Sequence, residues 1–188
     1  MDEATLQMVV ARAANEDAEA LGELYRLFRP RVFGLCRHVL GRREEAEDAT
    51  GDLFARLSKA LKSYQPSLPF PRWLLSVTSH HCVDRLRRRR LEQRLFEAEI
   101  SQTQAAPAPQ PLPLEQMIAS ESRETVSKAI AGLPDHYRVP LTLRYYSELS
   151  YDEIAEQLGL TRAHVATLLF RAKQQLRQML GARPPGWR

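Results

Sequence analysis

Six arginines crowd residues 83 to 94, "VDRLRRRRLEQR", against Asp84 and Glu92, and five of them fall between positions 85 and 90. Guanidinium groups at this density suit contact with phosphate, since blocks of five or more like charges often serve interaction. A cationic helix end also satisfies the helix dipole, but two arginines would do that, and six exceed the need. A second constellation lies in "SELSYDEIAEQLGLTRAHVATLLFRAKQQLRQML", where Arg162, His164, Thr167, Arg171 and Lys173 offer donors and acceptors from one helix. No nucleophile with a base, glycine-rich phosphate loop or pair of catalytic carboxylates accompanies them, so an enzyme is not expected. His80, His81 and Cys82 are adjacent, yet consecutive helical residues point about 100° apart and cannot share one ion. Neither a metal nor a cofactor is expected.

These residues need helices to position them, and the apolar spacing is helical on both sides of a proline-rich stretch. Leu21, Leu24, Leu27 and Phe28, then Val32, Leu35 and Val39, form a stripe that Pro30 is expected to interrupt and Gly41 to end. A second helix is expected from about Arg43 to Lys62, with Ala46, Ala49, Leu53, Phe54, Leu57 and Leu61 inward and its acids near the start, where they favour the dipole. After the loop "SYQPSLPFP", a third helix from about Arg72 turns Trp73, Leu74 and Val77 inward and runs into the arginines. Leu86 and Leu91 are the apolar packing at that end.

In the second block, Ser150 and Glu153 make a capping box, Gly159 ends the short helix, and Thr161 caps the next. Val165, Leu168, Leu169, Ala172, Leu176 and Met179 are its apolar side. Two helices joined by "GLT" read as a helix-turn-helix, whose second helix enters a major groove. Upstream, two supporting helices broken at Pro134 supply Val126, Ile130, Leu133, Leu141 and Leu143. The fold class is therefore all-α: an N-terminal helical bundle over 1–97, a Pro-rich linker over 98–113, a four-helix domain over 114–182 and a tail over 183–188. The linker carries Pro107, Pro109, Pro111 and Pro113. Residues 95 to 113, extended at about 3.3 Å each, reach roughly 60 Å, or about 18 base pairs.

Composition agrees with a nucleic-acid partner more by placement than by total. The chain of 188 residues has net charge +4, but residues 1 to 58 carry eight basic and eleven acidic side chains, whereas 72 to 94 carry seven and two. Such concentration is the footprint of a phosphate binder. No stretch approaches the roughly 20 apolar residues of a membrane span, and the acidic N-terminus is unlike a secretory signal, so a cytoplasmic protein without membrane insertion is expected. Cys36 and Cys82, far apart in sequence, define neither a disulfide framework nor a zinc site and read as reduced, buried thiols.

From about Asp17 to Leu180 the chain resembles the extracytoplasmic-function (ECF) group of sigma-70 family transcription initiation factors. "EEAEDATGDLFARL" is similar to the family's core-polymerase-binding helix. "FPRWLLSVTSHHCVDRLRRRR" is similar to its promoter-melting helix, and "LPDHYRVPLTLRYYSELSYDEIAEQLGLTRAHVATLLFRAKQQLRQML" to its minus-35-reading domain. The resemblance implies a bacterial protein whose partners are core RNA polymerase, promoter DNA and an anti-sigma factor. It assigns Asp48, Asp52 and Phe54 to polymerase docking. The loop from Ser63 to Phe70 and the helix start go to the minus-10 strand, with Trp73 and His80; Tyr64 and Phe70 are either stacking partners or core. Arg85, Arg87 and Arg88 go to the DNA just upstream, and Thr161, Arg162, His164, Thr167, Arg171 and Lys173 to the minus-35 groove. Gly51 and Ser58 replace a usual glutamine and tryptophan, Ser79 and His80 stand where arginine and asparagine are common, and Ala166 and Leu168 replace a frequent lysine and arginine. Core docking and promoter choice should differ accordingly. The alternatives are a helix-turn-helix regulator acting without polymerase, and a protein-interaction module binding an anti-sigma regulator.

Overall fold

The computed structural model describes residues 1–97 and 125–180. The expected linker and tail lie outside the described residues. Contacts divide the chain into two compact units, Met1–Leu86 and Arg87–Arg188, and every element described is a helix or a turn.

The first unit is built on α1 (Glu3–Ala14), α2 (Ala18–Leu40), α3 (Arg43–Ala55), α4 (Leu57–Leu61) and α5 (Phe70–Glu97), the last running past the unit's end. Sequence periodicity had not singled out α1. Asp2 caps it by accepting from the Thr5 amide, and Leu6, Val9, Val10 and Ala13 are buried where α1 packs on α2 and α4. Asp17 caps α2, accepting from the amides of Glu19 and Ala20. Gly41 ends α2 at φ 83°, a left-handed conformation that side chains disfavour.

Pro30 does not interrupt α2. Its ring lies on the exposed side, so the helix forfeits one backbone bond while the stripe from Ala20 through Leu24, Phe28, Val32, Leu35 and Val39 stays buried. Leu24, Val32, Leu35 and Val39 are fully enclosed, each contributing about 1.5–3 kcal/mol. Leu27 stands one residue off that series and is exposed, contrary to the expected stripe.

The helix expected over Arg43 to Lys62 is two helices. Arg56, at φ −106° and ψ 3°, donates its amide to Leu53 in a tightened turn, which rotates α4 so that Leu57 and Leu61 face α1 and α3. α5 begins at Phe70 rather than Arg72, since the Pro69 carbonyl accepts from the amides of Arg72 and Trp73 and completes an earlier first turn. Leu91 is exposed, so Leu86 alone of the two expected leucines is packed.

The second unit contains α6, described over 125–131, then α7 (Asp135–Tyr145), α8 (Tyr151–Leu158) and α9 (Arg162–Met179). α7 and α8 both pack on α9 and on each other, around Leu133, Leu141, Leu143, Leu149, Ile154, Val165, Leu169 and Leu176. Ser150 and Glu153 form the full capping box, and Gly159 adopts φ 67°. Thr161 accepts from the His164 amide. These three local signals set the turn between α8 and α9. Met179, expected on the apolar side, is half exposed at the rim, where its methyl lies over Gly132.

Candidate functional site

α9 carries Arg162, Arg171, Lys173 and Arg177 and no carboxylate, whereas α8 opens with Asp152 and Glu153. Positive charge is therefore concentrated on one helix of the pair. The buried series Val165, Leu169, Ala172 and Leu176 turns the opposite face outward. At about 100° per residue, His164, Thr167 and Arg171 lie within roughly 60° of one another on that face. All three are exposed.

The other expected residues of this helix sit elsewhere. Lys173 lies at least about 120° from that arc, half-buried, with its ammonium 5.2 Å from the centre of the Tyr145 ring. Arg162 occupies the first turn, 3.7 Å from Asp152 and largely exposed with it, an ion pair of little energetic weight. Thr161 is spent as the cap, and the Thr167 hydroxyl donates to Ala163, leaving an oxygen lone pair outward. Gln174 and Gln178 extend the exposed stripe and, with Tyr137, Arg171 and Gln175, line an open polar groove. Sequence reasoning passed over both glutamines, although the helical spacing from Thr167 through Arg171 to Gln174 and Gln178 contains them. Paired donor and acceptor amides suit adenine edges.

In the first unit, Asp48 is exposed on α3, and Asp52 lies one turn further on. Phe54, half-buried, packs edge-on against Tyr25 of α2 with ring centres 4.9 Å apart. Tyr25 is itself 40% exposed, so the two rings and the two carboxylates give α2 and α3 a mixed acidic and aromatic surface.

Asp52 does not stand alone. Its carboxylate accepts from Arg85 Nη2 at 3.0 Å, and Arg85 Nη1 donates to the Glu45 carbonyl at 3.2 Å. Two residues expected at different partners thus bind each other, tying α5 to α3. Arg87 and Arg88 are exposed on α5.

The expected stacking residues form one aromatic cluster. Phe70 is fully buried against Phe28 at 5.2 Å, Tyr64 at 5.6 Å and Trp73 at 5.8 Å, and Tyr64 lies 5.2 Å from Trp73. Of the two readings open for Tyr64 and Phe70, Phe70 takes the core one. Tyr64 is half-buried, its hydroxyl donating to the Leu68 carbonyl and accepting from Gln7 Nε2. The cluster therefore folds the loop onto α1 and α5. His80 is exposed, with Nδ1 2.8 Å from the Ser76 carbonyl, while Cys82 points into the core.

Two helical units, the second ending in a helix-turn-helix whose second helix carries four cationic side chains and no carboxylate, have the arrangement of a DNA-binding protein. Residues 24–92 match the model of Sigma-70 region 2, and residues 123–176 that of Sigma-70, region 4. The ECF RNA polymerase sigma factor SigW of Bacillus subtilis is 29% identical over 170 residues, covering 87% of this chain and 90% of SigW. The ECF RNA polymerase sigma factor SigE of Mycolicibacterium smegmatis is 32% identical over 158 residues, covering 84% of this chain and 60% of SigE. Among solved structures, the sigma factor RpoE in complex with the anti-sigma factor NepR from Bartonella quintana shares the fold with a TM-score of 0.57. That match has 18% identity and covers 87% of this chain and 98% of RpoE. The chain belongs to the sigma-70 family, in its ECF group.

Proposed function

We propose that this protein is an ECF sigma factor that binds core RNA polymerase, directs it to specific promoters and helps open the minus-10 DNA. The observation that carries the reading is the capped α8 and α9 pair, which turns a carboxylate-free helix outward with His164, Thr167 and Arg171 on one face. This is the face a recognition helix offers to a major groove, here the minus-35 element, with Gln174 and Gln178 as further contacts. The acidic and aromatic surface of Asp48, Asp52, Phe54 and Tyr25 suits a basic patch of the polymerase. Arg87 and Arg88 reach the phosphates upstream of the opened strands.

Residues 1–97 then act as the docking and melting domain, 98–113 as the linker and 114–182 as the minus-35 domain. Linking two weak binders raises the effective concentration of each, so neither need hold DNA tightly alone. Covalent chemistry belongs to the polymerase, and the protein works in the bacterial cytoplasm; no described helix is long and apolar enough to cross a membrane. An anti-sigma factor is a fitting inhibitor. Its support is the complex that RpoE makes and the exposure of Tyr145 and Phe170, apolar rings that a protein partner could cover.

The test is transcription in vitro from fragments of the source genome with purified core polymerase. Addition of this protein should create defined start sites, and charge reversal at Arg88 and Arg171 should abolish them. DNA binding without any complex with core would instead identify a regulator that acts without polymerase.

A further inference from the structure

Cys36 on α2 and Cys82 on α5 are separated by 46 residues, yet their sulfurs lie 3.5 Å apart, with the Cys82 thiol directed at Cys36. Both are fully buried. Two small hydrophobes could fill this space, but these two meet sulfur to sulfur in a hydrogen bond. The hydrogen bond from Cys82 holds the Cys36 thiol below its ordinary 9.0, and Thr50 and the Arg85 charge act in the same direction against burial. Cys82 is pushed well above that value by the same contact and by burial. Two buried thiols in direct contact, one donating to the other, are placed for one to ionise and its neighbour to resolve, the arrangement of a redox pair.

We propose that Cys36 and Cys82 are a redox site, in which an oxidant of the peroxide class converts the dithiol to an intramolecular disulfide joining α2 to α5. With hydrogen peroxide, the Cys36 thiolate attacks one oxygen and breaks the O–O bond, giving a sulfenic acid and hydroxide, which takes up the proton that Cys36 released and leaves as water. The Cys82 thiol then attacks that sulfur. The S–S bond forms as the S–OH bond breaks, and the Cys82 proton leaves with the hydroxyl as a second water. Two thiols are oxidised by two electrons and one peroxide is reduced.

The geometry favours this outcome over further oxidation. A disulfide is about 2.05 Å long, so the sulfurs need to close by roughly 1.5 Å, a distance on the scale of side-chain rotation. Entry of peroxide requires α5 to lift from α2, so the rate is that of a local opening, and reclosure brings the resolving thiol back into contact. Arg85 follows Cys82 by three residues on the same helix, so the bridge also fixes the segment that bears the arginines.

The full-length reduced chain is treated with hydrogen peroxide, denatured in maleimide reagent and weighed intact. The expected product has no maleimide-reactive thiol, has lost about 2 Da, and regains two thiols with dithiothreitol. Trypsin should release residues 32–37 bonded to residues 73–85, a readout on the natural sequence that needs no variant to fold. In Cys36→Ala or Cys82→Ala the loss of about 2 Da should disappear. The proposal is overturned if both thiols survive peroxide, if the only products are oxygen adducts of about 32 Da, or if the disulfide forms solely between two chains.

Discussion

The ion pair between Arg85 and Asp52 can be weighed directly. Arg85→Ala removes a 3.0 Å charge-assisted bond to Asp52 and a 3.2 Å bond to the Glu45 carbonyl, with side chains 31% and 45% exposed for the pair. Partial exposure discounts the Coulomb attraction, so the pair itself should be worth about 1 kcal/mol, and the carbonyl bond about another 1 kcal/mol. The single substitution should therefore cost about 2 kcal/mol, and Asp52→Ala about 1 kcal/mol, with a coupling of about 1 kcal/mol in the double mutant. Only two tryptophans occur, so Trp187→Phe leaves the buried Trp73 as the sole reporter of the first unit. Urea titration of its fluorescence should place the Arg85→Ala midpoint about 1.5–2 M lower, taking a slope of about 1 kcal/mol per molar for a unit of this size. Arg88→Ala should leave the midpoint unchanged while weakening promoter binding. A coupling indistinguishable from zero, with promoter binding lost at Arg85→Ala, would refute the internal tie and return Arg85 to the DNA.

The turn between α8 and α9 makes a second prediction. Ser150→Ala should lower stability of the second unit by about 1 kcal/mol, as should Gly159→Ala; because nothing lies within 4 Å of a Cβ there, Gly159→Asn should recover part of that loss in thermal melts followed by circular dichroism. A third concerns α9. Arg171→Ala should weaken binding to a minus-35 duplex and reduce the slope of log affinity against log salt by about 0.9, while Lys173→Ala, held over Tyr145, should change the slope by less than half as much. Filter binding over a salt series separates the two.

Local chemistry was legible in the sequence, and distant pairing was not. Ser150, Glu153, Gly159 and Thr161 specify caps within four residues of their partners, so the helix-turn-helix could be placed from its letters alone. Pro30 misled because a proline's cost depends on which face it occupies, and periodicity counts apolar positions without weighing one exposed ring. α1 carries a helical signal too, in the spacing of Leu6, Val9, Val10 and Ala13, but it is short, and the exposed Met8 lies off that face. The Arg85 and Asp52 pair spans 33 residues and the cysteine pair 46. No period connects such positions; only the packing of α5 against α2 and α3 does. On α9 the stripe of Thr167, Arg171, Gln174 and Gln178 was available to the same periodic argument that found the core.

Under the proposed function, the aromatic cluster limits how a minus-10 strand is held. A base stacked on a side chain gains about 1–3 kcal/mol, whereas taking a buried phenylalanine out of a packed core costs about 3–5 kcal/mol. Phe70 has no exposed surface and touches three other rings, so extracting it to receive a base loses more than stacking returns. Trp73, 9% exposed, is held almost as firmly. Their part in the site is therefore positional: they clamp the loop between Ser63 and Pro69 against α1 and α5 through Tyr64, whose hydroxyl is engaged by both Gln7 and Leu68. Under the same proposal, direct contact with the strand falls to what the clamp leaves outside, Gln65, Ser67 and His80, all exposed and all polar. A strand read by such groups is held through hydrogen bonds to base edges, on a platform whose rigidity comes from the rings beneath it.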